Sequence, residues 1–491
     1  MPFPHDSMRE LLTDLEKEGE LLRIKDEVDW NLEAGAITRR ALELGGIRSV
    51  KEGGQPALFF EKVKDYPDGF RIFGNILGNL KRVAMAFGHP NPDKVTWAEM
   101  QDLFLRGQEH AIKPKVVKEA PCKKNKVMGA ECDLYKFPAP MIHEGDGGRY
   151  LGSYHLTCTQ DKTSDWTNWG MYRFMIHDRR SLGALFVHGQ HGPDMYFHQY
   201  EANNEPMPCT IVIGADPLSS FAAGTTLPTG ISEMDVVGGW RGKPLELVKC
   251  ETNDLYVPAS SEIVIEGVML PKVRAWEGPF GEYTGFRASP RDLRPVFVVR
   301  CITWRDNPIM TMSNMGWGVS ESSICHAIAR AATYRKVFTE QRWPVTAVHV
   351  PPQCAGDLMV VAVKRGRPRV AQGIMAAALS GPGGIYTGKV IVVDEDMDVF
   401  DLDTIMINLV QKLHPVRGIT PYFHQGSPLF PFADLKERLE MTGPQLLLDC
   451  TWPMDWPIEI AVPPKASFTE AYPKDLQEKV KGSWTKYGFK N

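Results

Sequence analysis

Apolar positions recur at helical spacing in "SMRELLTDLEKE" (residues 7–18). Met8, Leu11, Leu12 and Leu15 share one face, and Ser7 stands where an N-cap belongs. "PALFFEKV" then predicts a strand, and "LGNLKRVAMAFG" a helix that stops at Gly88. The polar stretch 107–126, "GQEHAIKPKVVKEAPCKKNK", predicts a linker. From about 127 to 320 the pattern changes. "YHLTCTQD", "CTIVIGADP", "SSEIVIEGVML" and "RPVFVVRCITWRD" have strand length and β-branched content, with Gly, Pro and Asp clusters between them. Strands in succession predict an antiparallel sheet or a barrel. Beyond 320, "SSICHAIARAATYRKVFTE", "RVAQGIMAAALSG" and "DLDTIMINLVQKL" read as helices, and "VTAVHVPP", "LMVVAVK" and "KVIVVDED" as strands. That alternation predicts an α/β unit with an open sheet.

A chain of 491 residues exceeds one ordinary core and predicts two or three domains. Lys and Arg (56) nearly balance Asp and Glu (60), so neither nucleic acid nor an anionic membrane is an expected partner. No apolar run approaches the roughly 20 residues of a membrane helix. The N-terminal residues lack the basic-then-apolar pattern of a signal peptide, which leads to the expectation of a cytoplasmic protein. Nine dispersed cysteines without a C-x-x-C predict reduced, mostly buried thiols rather than zinc fingers or a disulfide framework.

Candidate chemistry concentrates in "EGPFGEYTGF" (277–286). Pro279 and Gly281 suit a β-turn, which would set Glu277 and Glu282 face to face. Like charges held close raise the pKa of at least one acid. The alternative is a pair of solvated acids at a hairpin tip. Arg173 lies among Tyr172, Phe174 and Met175, a costly setting unless a carboxylate pairs with it. The two glutamates are available for that, and so is an ordinary internal salt bridge. Asn168 and Arg173 have opposite strand parity, so a shared site requires a loop or a bulge. Asn168, His191 and Glu233 together make an O/N/O set that suits Mn²⁺ or Mg²⁺ better than zinc, although long sequence separations make the spacing alone a weak signal. His188 and His191 are three residues apart, an unremarkable spacing, and a lone histidine is more often structural than a ligand. Lys389 follows glycines at the mouth of a strand, where it can neutralise phosphate or face solvent. The acidic run Asp394, Glu395, Asp396 and Asp398 lacks the glycine and terminal glutamate of a calcium loop. No dinucleotide fingerprint or P-loop is present.

The segments "NWGMYR", "FVHGQHGPD", "GADPLSSFAA", "SEMDVVGGWRG", "VPASSEIVIEGV" and "EGPFGEYTGF" occur in that order. Together they resemble the UbiD family of reversible decarboxylases of aromatic and α,β-unsaturated acids, and the resemblance runs from "LLTDLEKEGELLRI" to "LLLDCTWP". It implies an α/β (α+β) fold of three domains. These are an N-terminal α/β domain (1–115), a central split β-barrel that binds flavin (116–320), and a C-terminal α/β domain that dimerises (321–491). It also implies prenylated FMN from a UbiX-type prenyltransferase, a divalent metal (usually Mn²⁺), K⁺, and a homodimer or homohexamer. By motif, Asn168, His191 and Glu233 match the metal ligands. Arg173, Glu277 and Glu282 match the catalytic Glu-Arg-Glu network, and Lys389 a phosphate-binding lysine. Trp169, Gln190, Ser219 and Ser220 fall where the family lines the cofactor.

The resemblance leaves the aromatic acid open, with aryl-CoA thioesters and heteroaromatic acids included. Met312, Met315, Trp317, Phe430 and Phe432 are expected near the substrate and suit a flat apolar ring. They are equally common in ordinary cores. His326 or His424 could meet a phenol hydroxyl. An FMN-dependent reductase is the alternative from another class, and it would need a nicotinamide site, for which the sequence carries no signature. A non-catalytic scaffold is disfavoured by the intact Glu-Arg-Glu set.

Overall fold

The computed structural model describes residues 3–44, 55–423 and 425–490. His424 lies outside them. The capped helix α1 (Met8–Lys17) forms as predicted, with the Ser7 hydroxyl accepting from the Glu10 N–H and Met8, Leu11, Leu12 and Leu15 buried. Strand β1 (Leu21–Val28) pairs parallel with β2 (Ala57–Val63), and β2 antiparallel with β3 (Arg71–Gly74). Helix α2 (Glu33–Leu44) lies between β1 and β2 in sequence, and α3 (Leu80–Ala86) and α4 (Trp97–Glu109) follow. Residues 309–312 return from far along the chain to pair with β3, so this first sheet also draws on a later segment.

The predicted linker is structured. It carries the end of α4, β4 (Lys115–Val117) and the start of β5 (Asn125–Met128). The unit that follows is antiparallel throughout. Its strands are β6 (His155–Gln160), β7 (Thr167–Gly170), β8 (Phe174–Asp178), β9 (Ser181–Ala184), β10 (Met207–Ile213), β13 (Ile263–Glu277) and β14 (Asp292–Trp304). They pair in the order β7-β6-β10-β13-β14-β9-β8, with β5 added to β14. Around them stand α5 (His191–Asp194), α6 (Pro217–Ala223) and α7 (Glu233–Arg241). The small strands β11 (Glu246–Lys249) and β12 (Tyr256–Pro258) make a separate sheet with β4. The returning strand is β15 (Ile309–Met312).

Helix α8 (Glu321–Glu340) leads into the last unit: β16 (Val345–His349), β17 (Leu358–Val363), α9 (Val370–Ser380), β18 (Lys389–Asp394), α10 (Leu402–Lys412), β19 (Ile419–Phe423), α11 (Leu435–Glu440) and β20 (Pro444–Cys450). Its sheet runs β16-β17-β18-β20-β19, parallel at the centre and antiparallel at both edges. The near-continuous apolar strands "LMVVAV" and "KVIVVD" occupy the centre, as burial on both faces requires. The nine cysteines are free thiols, and all but Cys354 are buried. Among the described residues no helix is long and apolar enough to cross a membrane.

Candidate active site

A cleft of about 200 Å³ opens between the antiparallel unit and the last one. Asn168, Trp169, Arg173, Gln190, His191 and Glu282 contribute to one wall, and His326 and Arg330 of α8 to the other. The parity conflict between Asn168 and Arg173 is resolved by an interruption. β7 ends at Gly170 and β8, a separate strand paired with β9, begins at Phe174, so Arg173 lies between strands and is free from strict alternation.

The guanidinium of Arg173 holds both glutamates of the 277–286 segment. Nε and Nη2 donate to Glu277 Oε1 and Oε2 at 2.9 and 2.8 Å, and Nη1 donates to Glu282 Oε1 at 2.5 Å. All three side chains are buried. The alternative of solvated acids at a hairpin tip is excluded. The tight turn is not what unites them, however. Glu277 ends β13 opposite Asp292, and residues 278–291 form a long connection. The acids meet because one planar cation reaches both.

The two acids are not equivalent. Glu277 Oε1 also accepts from the Tyr150 hydroxyl at 2.8 Å, so three donors converge on this carboxylate. Glu282 receives one N–H from Arg173. Burial pushes the Glu282 pKa up, Arg173 opposes that, and the charges of Glu277 and Asp146 reinforce it. Burial also disfavours the charge on Arg173, but the two carboxylates outweigh it and hold the guanidinium ionised.

Within β7, the Trp169 backbone N–H donates at 2.9 Å to the buried Glu233, which begins α7. Burial pushes its carboxyl up to about 8, and among the described residues no cationic side chain pairs with it. Next to Trp169, the Asn168 amide nitrogen donates to the Tyr172 hydroxyl (3.2 Å) and to Thr159 Oγ1 (3.4 Å). His191 opens α5 and lies edge-on to Trp166, with Nε2 3.3 Å from Thr229 Oγ1. Trp166 in turn donates to the Ile231 carbonyl, two residues before Glu233. These contacts bring the starts of α5 and α7 onto β7. The Trp169 indole N–H is buried without a partner.

Three expected cofactor residues have side chains engaged elsewhere. Ser219 donates to Asp216 Oδ2, the N-cap of its own helix, and Ser220 faces the Ala215 carbonyl. Lys389 stands 3.7 Å over the Phe432 ring. None of the three lines the cleft. Of the aromatic and methionine residues expected near a substrate, Met315 lines the cleft, while Phe430 and Phe432 stack on each other and Trp317 is exposed. His326 does line it. Burial and Arg330 push its pKa down to about 3, and its Nδ1 has no partner.

Tyr150, Asp146 and Arg330 were not singled out from the sequence. The first two lie in "HEGDGGRY" (143–150), where an acid among glycines was the available signal.

Residues 12–98, 115–317 and 323–450 match, in order, the N-terminal, Rift-related and C-terminal domains of 3-octaprenyl-4-hydroxybenzoate carboxy-lyase, UbiD. The chain belongs to the UbiD family. The chain is 31% identical to a pyrrole-2-carboxylic acid decarboxylase of Pseudomonas aeruginosa, over 98% of each protein. Its fold superposes on the closed form of a vanillic acid decarboxylase of Sedimentibacter hydroxybenzoicus with TM-score 0.86, at 31% identity, covering 97% of this chain and 98% of that one. An evolved dimeric form of a UbiD-class enzyme from Pelotomaculum thermopropionicum, solved in complex with prFMN, matches with TM-score 0.75 at 27% identity, over 92% and 96% of the two chains.

Proposed function

We propose that this chain catalyses the reversible, non-oxidative decarboxylation of a small aromatic or heteroaromatic acid with prenylated FMN. The observation that carries this reading is the unequal sharing of Arg173 by two buried glutamates at the wall of a cleft. Family membership and the prFMN complex of a structural neighbour support the choice of cofactor.

Asn168, His191 and Glu233 would hold a divalent cation, Mn²⁺ or Mg²⁺. Trp169, Arg173 and Gln190 would face the cofactor, and K⁺ would accompany its phosphate. The donor set fits: a buried carboxyl without a cationic partner regains its charge when a cation arrives. When bound, prenylated FMN supplies the electron sink that no side chain offers, which lets a ring carbon release CO₂.

The chain's residues do the rest. Three of the five N–H groups of Arg173 are committed to the glutamates, and two remain to orient the substrate carboxylate. Once CO₂ has left, Glu282 gives its proton to the ring carbon and regains one from solvent. Leu185, Val187 and Leu429 close over this side of the cleft and exclude water. His326, neutral and with a free Nδ1, is placed to meet a polar ring substituent.

The test is CO₂ release from a panel of hydroxybenzoates and of pyrrole and indole carboxylates. The protein is co-produced with a UbiX-type prenyltransferase, and NAD(P)H is left out. Turnover of at least one acid is expected. Turnover of thioesters alone would move the substrate to the aryl-CoA class, and flavin reduction that requires NAD(P)H would replace the reading with a reductase.

A further inference from the structure

The 143–150 segment is fastened to the acid-bearing connection at two backbone points. Gly147 N–H donates to the Pro279 carbonyl at 2.7 Å, and Gly281 N–H donates to Asp146 Oδ1 at 2.9 Å. Gly281 directly precedes Glu282. The fit tolerates no side chain at either glycine. A Cβ at Gly281 would stand 2.4 Å from His143 Nδ1, and one at Gly147 would stand 2.3 Å from the Gly278 carbonyl oxygen.

Asp146 is itself held. His143 Nδ1 and its backbone N–H both contact Asp146 Oδ2, at 3.0 and 3.2 Å. The far side of the imidazole, Nε2, faces Asn314 Oδ1 at 3.1 Å. That amide is oriented by its nitrogen, which donates to the Gly35 carbonyl at 2.6 Å, and by Arg39 Nε, which donates to its oxygen at 3.1 Å. Both ring nitrogens therefore face oxygen atoms, which fixes the ring between Asp146 and Asn314. A chain of contacts thus runs from α2 through Asn314, His143 and Asp146 to the peptide beside Glu282.

We infer that Asp146, braced by His143, is a positioning residue for the proton donor: it grips the Gly281 N–H and so sets the Glu282 carboxyl against Arg173. This rests on the reading of Glu282 as the donor. The charged groups that act on Glu282 are Arg173, Glu277 and Asp146. The charge of Asp146, like that of Glu277, pushes the Glu282 pKa up.

The test uses the full chain with Asp146→Ala and Asp146→Asn. The asparagine keeps an oxygen for the Gly281 N–H and loses the charge; the alanine loses both. With prenylated FMN bound, kcat of Asp146→Ala should fall by about 10²-fold, the scale of a misplaced catalytic group. KM should stay near parental, and Asp146→Asn, which keeps the Gly281 contact but not the His143 N–H contact, should recover part of the loss. In cofactor-free protein, the infrared band of the Glu282 carboxyl, identified by its absence in Glu282→Gln, should titrate at lower pH in both variants. A change confined to melting temperature, with parental kcat and an unmoved band, would overturn the assignment. An unmoved band in Asp146→Asn does so even where the alanine variant fails to fold. Parental turnover in Glu282→Gln would instead remove the donor reading, and the infrared titration, which needs neither cofactor nor substrate, tests the Asp146 contact separately.

Discussion

Glu277 and Glu282 share one guanidinium but differ in the number of donors that reach them, and this difference separates their expected substitution effects. Glu282→Gln keeps the size and the hydrogen bond to Arg173 but removes the transferable proton. Turnover per bound flavin should fall by about 10²–10⁴-fold with little change in stability. Glu277→Gln removes the better-connected anion from a buried cation and should cost on the order of 3 kcal/mol in urea unfolding. Equal stability losses in the two variants would contradict the division of labour. Glu233→Gln belongs to the same scale: it removes the anionic member of the proposed metal set, so metal content and flavin absorbance of the purified protein should drop together. Arg173 was legible because a cation among Tyr172, Phe174 and Met175 is costly, and Glu277 and Glu282 because they bracket turn residues. Asp146 and Tyr150 were not, because each acts through a partner more than 120 residues away. Nothing local in "KVIVVD" or "PLSSFAA" announces that Lys389 turns to Phe432 or that Ser219 turns to Asp216.

Elements with a clear period, such as α1, α8, β10 and β18, formed where their patterns placed them. The misreadings arose where pairing partners are remote. "KVVKEAPCKKNK" looks like a linker because its strands are short and exposed, yet β4 is completed by β11 and β5 by β14. "GPFG" has turn residues, but it opens a fourteen-residue connection whose path is set by the 143–147 segment. The connection leading into α11 makes a second remote contact of this kind. Leu429 packs on Leu185 and Val187, and Arg438 of α11 donates to the Ala288 carbonyl. This apolar cluster is small and joins the antiparallel unit to the last one, so it contributes to closing the cleft more than to either core. Leu429→Ala should therefore raise KM and admit water, while the urea midpoint falls by less than the roughly 2–5 kcal/mol equivalent of a Leu→Ala change inside a core. An unchanged KM together with a full core-sized destabilisation would place Leu429 in a core instead.

At the scale of the molecule, α10 exposes Met406, Ile407 and Val410, and Val416 and Phe423 lie exposed beyond it. For the expected homodimer or homohexamer, light scattering should report a multiple of 55.0 kDa. Stability against pH is the other whole-molecule property that the buried groups determine. Burial depresses His155 from 6.5 to about 3, so below pH 6.5 the unfolded chain takes up a proton that the native protein refuses. The contribution of His155 is therefore fully present above pH 6.5 and is lost progressively as pH falls toward 3. Asp357 runs the other way. Burial raises it from 3.8 to about 7, so the native state holds a proton that the unfolded chain has released, and its contribution is lost as pH rises through that window. Because the two oppose each other, the total stability curve conceals both, and only a paired difference isolates one. His155→Gln removes the titration while keeping a polar head of similar reach. Relative to this variant, the parent should lose stability steadily between pH 6.5 and 4.5 in urea unfolding, at up to about 1.4 kcal/mol per pH unit. A parent-minus-variant difference that stays flat across that window would mean that His155 takes up its proton in the native protein.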